Sequence, residues 1–562
     1  MADTPASFSL IDRPWIPVLD MSGSYRRVSL AEVFAEAGQL RCIAGDLPTQ
    51  TFALLRLLLA VLHRAVEGPD DMRAWGELWA SPGLPIRDIT GYLDEFRDRF
   101  DLLHPKTPFY QVASLRTEKG EVSGLERLIA DVPVNEPYLT NRLGPGLQRI
   151  SPAEAAVWVV HCQAYDTSGI KTGAVGDPRV KRGKSYPIGP GPCGGLGGVF
   201  LEGPTLRETL LLNLIALDCP YLEQEPDKDS PVWERPPHGP AEEDDAWRGP
   251  YGVLNLYTWQ SRRIRLVGDE HAITGVIIAN GDKLTWENRY RHEPMTGWRR
   301  RKDQGRGRQG PVYMPALHDP ARALWRGLTS LLPTKSAAMG HAGADMLPPA
   351  LSQWLARLRA HGYLDPSYRV TTRAIGAIYG TQQAVIDAVY HDHLTMTVQA
   401  FDADGELATA IVDSVADAEK AVAALRWLAV DLCRAAGGYG GQRSDPPAAA
   451  GARAAERGFA ELEVHFRQWL GSLGPTTDPR EARAQWQTQV RARVAAIGAE
   501  LVAQAGPQAW VGRYLDPHKR TDYISSAIAD LKFRRALNRA LPLAAGSLIT
   551  PAAEAQPHEV SA

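Results

Sequence analysis

The last third of the chain constrains the fold most. From Ser414 onward, apolar residues recur at spacings of three and four through four successive segments. That is the pattern of amphipathic helices, which must bury one face against each other. Ser414 with Asp417 matches a reciprocal helix cap. The first helix then runs through Leu425, Leu428 and Ala429 to a stop at Gly437–Gly438. The second places Phe459, Leu462, Phe466 and Trp469 on one stripe. Asp478–Pro479 is a natural cap and first turn for the third, which carries Trp486, Val490, Val494, Ile497 and Leu501. The fourth carries Tyr523, Ile524, Ile528, Leu531 and Leu537. These four stripes predict a C-terminal four-helix bundle over 408–546, with the stripes as its core. The remaining residues, 547–562, rich in Ala, Pro and Glu, read as a disordered tail.

The region before the bundle has a different texture. Short apolar runs, Gly/Pro clusters and aromatics alternate. Phe52 to Val66 reads as a buried helix. In VGDEHAITGVIIANGDKLTW, Val267, Ile273, Val276, Ile277 and Ile278 read as strand, flanked by Asp/Gly turns. The expectation is an α+β protein, with a large mixed α/β domain over 1–400 followed by the bundle. At 562 residues, 44% of them hydrophobic, the chain is long enough for at least two cores.

Composition narrows the function by exclusion. Net charge is −3, so any nucleic-acid surface must be local rather than domain-wide. Cys42, Cys162, Cys193, Cys219 and Cys433 are scattered without a C-x-x-C pair. Neither a disulfide framework nor a four-cysteine zinc site is expected. No signal-peptide pattern opens the chain and no apolar run is long enough to cross a bilayer, so a reduced cytoplasmic setting is expected, without a membrane. Walker, nucleophile-elbow and H-E-x-x-H signatures are missing. His391-Asp392-His393 resembles part of an HD-type metal nuclease, but the other ligands are not evident, and the pair reads as a surface or capping pair on a helix. Cys193, in GPGPCGGLGG, has no neighbouring His. No catalytic residue, metal or cofactor is assigned.

Charge is patterned locally. Glu223 to Asp245 holds nine acidic residues against two basic ones and reads as a solvated loop. Arg289 to Arg308 holds eight basic residues against two acidic, with Tyr290 and Trp298 among them. Lys171 to Lys184 holds five against one. Basic loops with aromatics and glycines suit phosphate backbones, although a solvated surface is the simpler reading.

Several segments, in order, resemble the CasA family, the large subunit of type I-E CRISPR Cascade. Leu10-Ile11-Asp12-Arg13-Pro14-Trp15-Ile16-Pro17-Val18 resembles the family's L-I-D-x-W-I-P-V opening with one proline added. His104-Pro105 with Pro108-Phe109 resembles its H-P-F segment. Gln163-Ala164-Tyr165-Asp166-Thr167-Ser168-Gly169-Ile170-Lys171 resembles the approach to its glycine loop, and Leu206 to Leu217 the helix that follows. Tyr379-Gly380-Thr381-Gln382-Gln383-Ala384, before His391-Asp392, resembles its glutamine wedge. No single motif decides the matter; the ordered set does, and it spans nearly the whole chain.

The resemblance implies a non-enzymatic subunit that recognises the protospacer-adjacent motif (PAM) in double-stranded DNA. It also implies that the subunit destabilises the duplex so that the guide RNA can pair, and then helps recruit a helicase-nuclease. The division between protein-read motif and RNA-read sequence is general for guided effectors. Implied partners are target double-stranded DNA, the crRNA 5′ handle, the Cascade backbone and small subunits, and the helicase-nuclease. By the same resemblance, Gly169, Ile170, Lys171, Thr172 and Gly173 form the PAM-reading glycine loop, with Lys171 and Thr172 standing where further glycines occur. Gln383 is the inserted wedge, with Gln382 and Ala384 beside it. Lys283 falls where a minor-groove lysine is expected, although a lysine at the tip of an Asn280–Asp282 hairpin turn is also the plain reading. Arg299, Arg300, Arg301 and Lys302 are expected along the duplex backbone, with Arg306 and Arg308. Tyr138, Asn141 and Arg142 fall on a loop expected to touch the crRNA handle and backbone subunit. Arg262 to Asp269 carries no cysteine where some members have a zinc knuckle, so no zinc is expected. Two other readings stay open: a structural scaffold that reads no DNA, and an HD-type metal-dependent nuclease.

Overall fold

The computed structural model describes residues 6–132, 142, 145–244, 249–302, 310–333, 345–402, 405–438, 446–515 and 523–544. The chain divides into two compact units, residues 1–403 and 404–562. The expected tail over 547–562, and Arg306 and Arg308, lie outside the described residues.

In the first unit, the opening Leu10–Val18 motif leads into a small antiparallel sheet. Its strands are β1 (Ile16–Asp20), β2 (Tyr25–Val28) and β3 (Leu40–Ile43), in the order β2-β1-β3. Helix α1 (Leu30–Ala35) starts at Ser29, whose side chain and Glu32 cap each other reciprocally. Helix α2 (Pro48–Ala65) is the expected buried helix. It is enclosed on every side, from Phe52 through Leu62, as a helix apolar all round must be. Its one interior cation, Arg56, is paired with Glu293 at 2.8 Å and lies over the Tyr257 ring at 4.3 Å.

Helices α3 (Met72–Ala80), α4 (Ile86–Glu95) and α5 (Pro145–Gln148) follow, then α6 (Pro152–Tyr165), capped by Ser151 and buried along most of its length against α2. The chain next forms a short hairpin, β4 (Lys171–Thr172) with β5 (Lys184–Ser185), then β6 (Gly198–Glu202), α7 (Leu206–Leu212) and α8 (Val253–Tyr257). The strand-like stretch read from sequence is an antiparallel pair, β7 (Arg262–Gly268) and β8 (Ile273–Asn280), turning through residues 269–272. Three short strands, β9 (Trp298–Arg300), β10 (Tyr313–Pro315) and β11 (Met346–Leu347), form a sheet with β9 central. Helix α9 (Ala350–Ala360) precedes the long pair β12 (Arg369–Tyr379) and β13 (Ile386–Thr397), which joins β6 in the order β13-β12-β6.

Two expectations change here. His391, Asp392 and His393 lie on β13, opposite Ile375, Ala374 and Arg373 of β12, and not on a helix. Asp392 accepts the Leu324 backbone N–H, and Arg373 lies 3.1 Å from His391. The acidic stretch Glu223–Asp244 is not a solvated loop. Val232, Trp233, Asp229 and Arg235 are buried in it, and Asp229 accepts the backbone N–H groups of Leu254 and Asn255 that start α8.

Among the described residues, the second unit holds four long helices, α10 (Glu406–Ala435), α11 (Pro446–Ser472), α12 (Pro479–Ala503) and α14 (Ser526–Ala540), with the short α13 (Pro507–Val511) and the two-residue strands β14 (Arg513–Tyr514) and β15 (Tyr523–Ile524). Helix α10 packs against the other three long helices. Phe466, Trp469 and Trp486 form the aromatic core of this unit, with ring centroids 5.2–5.4 Å apart. Helix α10 starts a full two turns before the cap read at Ser414. Ser414 and Asp417 are buried inside it. There Asp417 accepts from Arg483 at 2.8 Å and Gln487 at 2.7 Å, both on α12. A buried carboxylate is tolerated only when paired in this way.

Candidate nucleic-acid interface

Loops and short strands carry the candidate residues, and buried arginines and a few hydrogen bonds decide where they stand. Helix α6 ends at Asp166, and the chain returns to the core at Gly191, whose N–H donates to the Asp166 carbonyl at 2.8 Å. Gly169 to Gly173 occupy the outgoing arm between these feet. Gly169 has an ordinary φ, and a Cβ there would meet nothing within 4 Å. Ile170 is more than half exposed. Gly173 differs: a Cβ would sit 2.5 Å from Val180 Cγ1 and 2.9 Å from the Gly183 carbonyl carbon. The fold itself therefore requires glycine at 173 and leaves 169 free for close approach from outside.

Lys171 makes an ion pair at the foot of the loop. Its ammonium lies 2.6 Å from the Asp166 carboxylate, and the side chain is only 12% exposed. Burial would raise the Asp166 carboxyl, but the Lys171 and Arg262 cations outweigh it and hold the group below the usual carboxylate range. Thr172 pairs with Lys184 in the β4–β5 hairpin. Arg179, of the same basic stretch, is turned inward, donating to the Gly281 and Asn280 carbonyls at 2.8 and 3.1 Å.

The turn joining β12 to β13 holds the paired glutamines. Gln382 and Gln383 both have φ of 57°, a left-handed conformation that costs L-residues other than Gly and Asn about 1–2 kcal/mol each. Both are exposed. The Gln383 carbonyl accepts the Ser168 N–H at 2.8 Å, so this turn and the glycine arm are hydrogen-bonded to each other. The Tyr379 hydroxyl donates to the Tyr165 carbonyl at 2.7 Å and ties the same two elements further back.

Lys283 is exposed but is not at a hairpin tip. The β7–β8 turn is at the far end, and Asn280–Lys283 is where the chain leaves β8. The preceding Asp282 is buried and accepts from Arg263 at 2.9 and 3.0 Å. Burial opposes its ionisation, yet Arg263 beside it keeps it below the ordinary range.

These loops meet around a cavity of about 1060 Å³. Lys283, Gln383 and the exposed Arg299, Arg300, Arg301 and Lys302 line it together with an apolar floor that includes Leu284, Trp286 and Met314. A second cavity of about 330 Å³ is lined by Gly169, Ile170, Lys171 and Ala384. Lys283 and Gln383 thus share one cavity with the basic run, Gly169 to Lys171 share another with Ala384, and the Ser168–Gln383 hydrogen bond links the two groups, while Thr172, Gly173 and Gln382 line neither cavity. Arg142 sits in an acidic nest, 2.6 Å from Glu154 and 3.6 Å from Asp131. Tyr138 and Asn141 lie outside the described residues.

Among the described residues, His238, Glu243 and Asp282 have ligand-type atoms within 4.8 Å of one another. Arg235 Nη1 already donates to both Glu243 oxygens at 2.8 and 2.9 Å, and Arg263 occupies Asp282. A divalent cation would have to compete with two guanidiniums, so the group fits an ion network better than a metal centre. Among the described residues, no helix is long and apolar enough to cross a membrane.

An α+β unit with a cationic cleft beside a strained polar turn, followed along the chain by a helical unit, defines a two-unit α+β class of protein. Over residues 9–497 the sequence matches the family described as CRISPR-associated protein Cse1, and the chain belongs to that family, also called CasA. It is 46% identical to Cse1 from Thermobifida fusca, whose crystal structure superposes with a TM-score of 0.87 over 96% of this chain and 99% of that one. The crystal structure of Cse1 from Acidimicrobium ferrooxidans is 30% identical with a TM-score of 0.79, over 96% and 99%. CasA/Cse1 from Thermus thermophilus is 32% identical over 350 residues, which span 60% of this chain and 63% of that relative.

Proposed function

We propose that this chain is the large subunit of a crRNA-guided type I-E Cascade complex. In this reading it recognises the PAM in double-stranded DNA, opens the adjacent base pairs and helps recruit the helicase-nuclease. The carrying observation is the cleft that gathers Lys283 and Arg299–Lys302 from neighbouring segments and Gln383 from a distant one. Cations along its rim neutralise phosphates and supply affinity without sequence information. Gly169 offers bare backbone to a minor-groove floor, where the base-pair code is degenerate and a tolerant reader suffices. Gln383 stands one hydrogen bond away from that loop, placed to enter the stack as the first target pair parts. Unstacking costs a few kcal/mol per step, and a turn already held in a strained conformation meets part of that demand before DNA arrives. The subunit acts in the cytoplasm on the crRNA 5′ handle, the backbone and small subunits and the incoming duplex, and it performs no chemistry itself.

The test is duplex binding to the reconstituted complex, with and without this chain, across a panel of motif sequences at fixed salt. Motif-dependent binding that requires the chain and is lost in Gly169→Asp and Gln383→Ala supports the proposal. Motif-independent binding, or binding unchanged by the chain, replaces it with a scaffold role.

A further inference from the structure

Neighbouring residues on a strand point to opposite faces. Arg262 and Arg263 of β7 are such a pair, and both side chains are almost completely buried, at 0% and 1% exposure. Two adjacent buried guanidiniums need a full set of acceptors, and each finds them in a different candidate loop.

Arg262 takes the glycine loop. Its Nε donates to the Asp166 carboxylate, and Nη2 donates to the carbonyls of Thr167 at 3.0 Å and Gly189 at 2.9 Å. It therefore grips both feet of the loop that carries Gly169. Gln163 fixes the arginine in turn, accepting the Arg262 N–H and donating to its carbonyl, both at 2.9 Å.

Arg263 takes the Lys283 turn. Nη1 and Nη2 hold the two Asp282 oxygens at 3.0 and 2.9 Å, Nη1 also donates to the Gln260 carbonyl at 3.0 Å, and Nε reaches the Gly239 carbonyl at 3.0 Å. A Cβ on Gly281 would fall 2.8 Å from Arg263 Nη1 and 2.3 Å from the Gln260 carbonyl. The turn is folded directly around the guanidinium.

We infer that Arg262 and Arg263 are positioning residues for motif reading: together they hold the glycine loop and the Lys283 turn at a fixed separation, without touching DNA. This rests on the reading of those loops as the motif readers. A guanidinium is suited to the task because its planar fork reaches several acceptors at once, whereas a lysine keeps the charge but not the fork. Arg→Lys is therefore the informative change, since it leaves Asp166 and Asp282 with a cation and loosens only the geometry.

The experiment measures three things on Arg262→Lys and Arg263→Lys: binding of motif and motif-free duplexes by the reconstituted complex, the salt dependence of motif-free binding, and hydrogen exchange of the folded chain. The motif preference is expected to fall about tenfold in each variant, the equivalent of losing about one charged hydrogen bond. Motif-free affinity and its salt dependence stay unchanged. Faster exchange is confined to 167–189 for Arg262→Lys, and to 239–243 and 281–285 for Arg263→Lys. Should either lysine variant fail to fold, Asp166→Asn and Asp282→Asn weaken the same clamps from the other side and are read in the same way. Full motif preference in folded variants, while Gly169→Asp and Gln383→Ala lose it, overturns the positioning role and leaves the proposed function standing. A parallel loss of motif and motif-free binding also overturns it, because that is what general loosening of the fold produces. If Gly169→Asp and Gln383→Ala keep the preference as well, the reading of the loops fails, and the inference with it.

Discussion

The glutamine turn allows stability and function to be separated in one position. Gln383 holds φ at 57°, a conformation that costs an L-residue with a Cβ about 1–2 kcal/mol and a glycine nothing in the folded state. Glycine loses about 0.5–1 kcal/mol through its freer unfolded chain. Gln383→Gly should therefore be stabilising by about 0.5–1 kcal/mol, and Gln383→Ala, which keeps the strain, should be near neutral. Unfolding entropy grows by about 2.1 cal/mol/K per residue. For the 403-residue unit, the glycine variant should thus melt about 1 °C higher. Both variants remove the amide, and both should lose opening of the first target base pair to the same extent. The assay pairs thermal denaturation of the chain with the fluorescence of 2-aminopurine at that base pair in the reconstituted complex. If glycine melts below alanine, the backbone is not strained and the turn is not held ready. If either variant still opens the pair at the wild-type level, the side chain is not the wedge.

Gly169→Ala meets open space and should keep or slightly raise the melting temperature while weakening motif binding. Gly173→Ala, meeting Val180 at 2.5 Å, should destabilise the loop by about 1–3 kcal/mol, and equal melting of the two variants would refute the distinction. Neutralising Arg299, Arg301 and Lys302 to Gln should lower the slope of log affinity against log salt by about 0.9 for each phosphate no longer neutralised, with motif preference unchanged; a changed preference would make them base readers. Arg56→Met strands the fully buried Glu293 carboxylate and should cost about 3–5 kcal/mol in urea unfolding, most of it recovered by adding Glu293→Gln. Burial pushes His63 down to about 4, and His161 and His238 down to about 3, from 6.5. Their neutral forms are bound in the fold, so stability is whole above pH 6.5 and falls as the unfolded chain takes up protons below it, by about 2 kcal/mol per histidine by pH 5. Asp229, raised to about 6 by burial, works in the other direction, adding roughly 1 kcal/mol over the same interval. Urea midpoints that do not move between pH 7 and pH 5 would show that these histidines are not held neutral.

Regular elements were legible because their periods survive in the sequence. The stripes from Phe459 to Val494 and the β-branched run Ile273–Ile278 map onto observed helices and a strand, whereas the fourth stripe does so only in part: Tyr523 and Ile524 form β15, and Leu531 is exposed where Ala529, Phe533 and Leu537 are buried. Sequence and structure part where polar residues serve the interior. Ser414 and Asp417 have cap spacing, but α10 begins at Glu406 without a side-chain cap, and Asp417 enters the core because Arg483 and Gln487 pair with it. His391-Asp392-His393 has the look of a helical pair, although Tyr390, Leu394 and Met396 alternate with exposed residues along β13 and carry a period of two. Resemblance orders the candidate loops along the chain but carries no distances. That Lys171 would be engaged by Asp166, or that Arg262 and Arg263 would face inward, left no local signal, since charged residues in a strand are ordinarily solvated.

A reader built from loops must solve a problem that helices and strands do not have. Its backbone carbonyls lack ladder partners, and each one buried without a donor is costly. Bound water could satisfy them but would leave the loops free to shift. Here guanidiniums do so instead: Arg262 and Arg263 supply carbonyl after carbonyl with donors from a single rigid plane. Because the two are consecutive, the distance between their loops is referred to one peptide unit of a paired strand. Register then becomes decisive. A one-residue insertion between Arg262 and Arg263 would send one guanidinium to the wrong face, leaving either Asp166 or Asp282 buried without its cation. The β7–β8 pairing that prevents such a slip also ends in the Asn280–Lys283 turn, so the same ladder fixes the arginines and one of the two loops they hold.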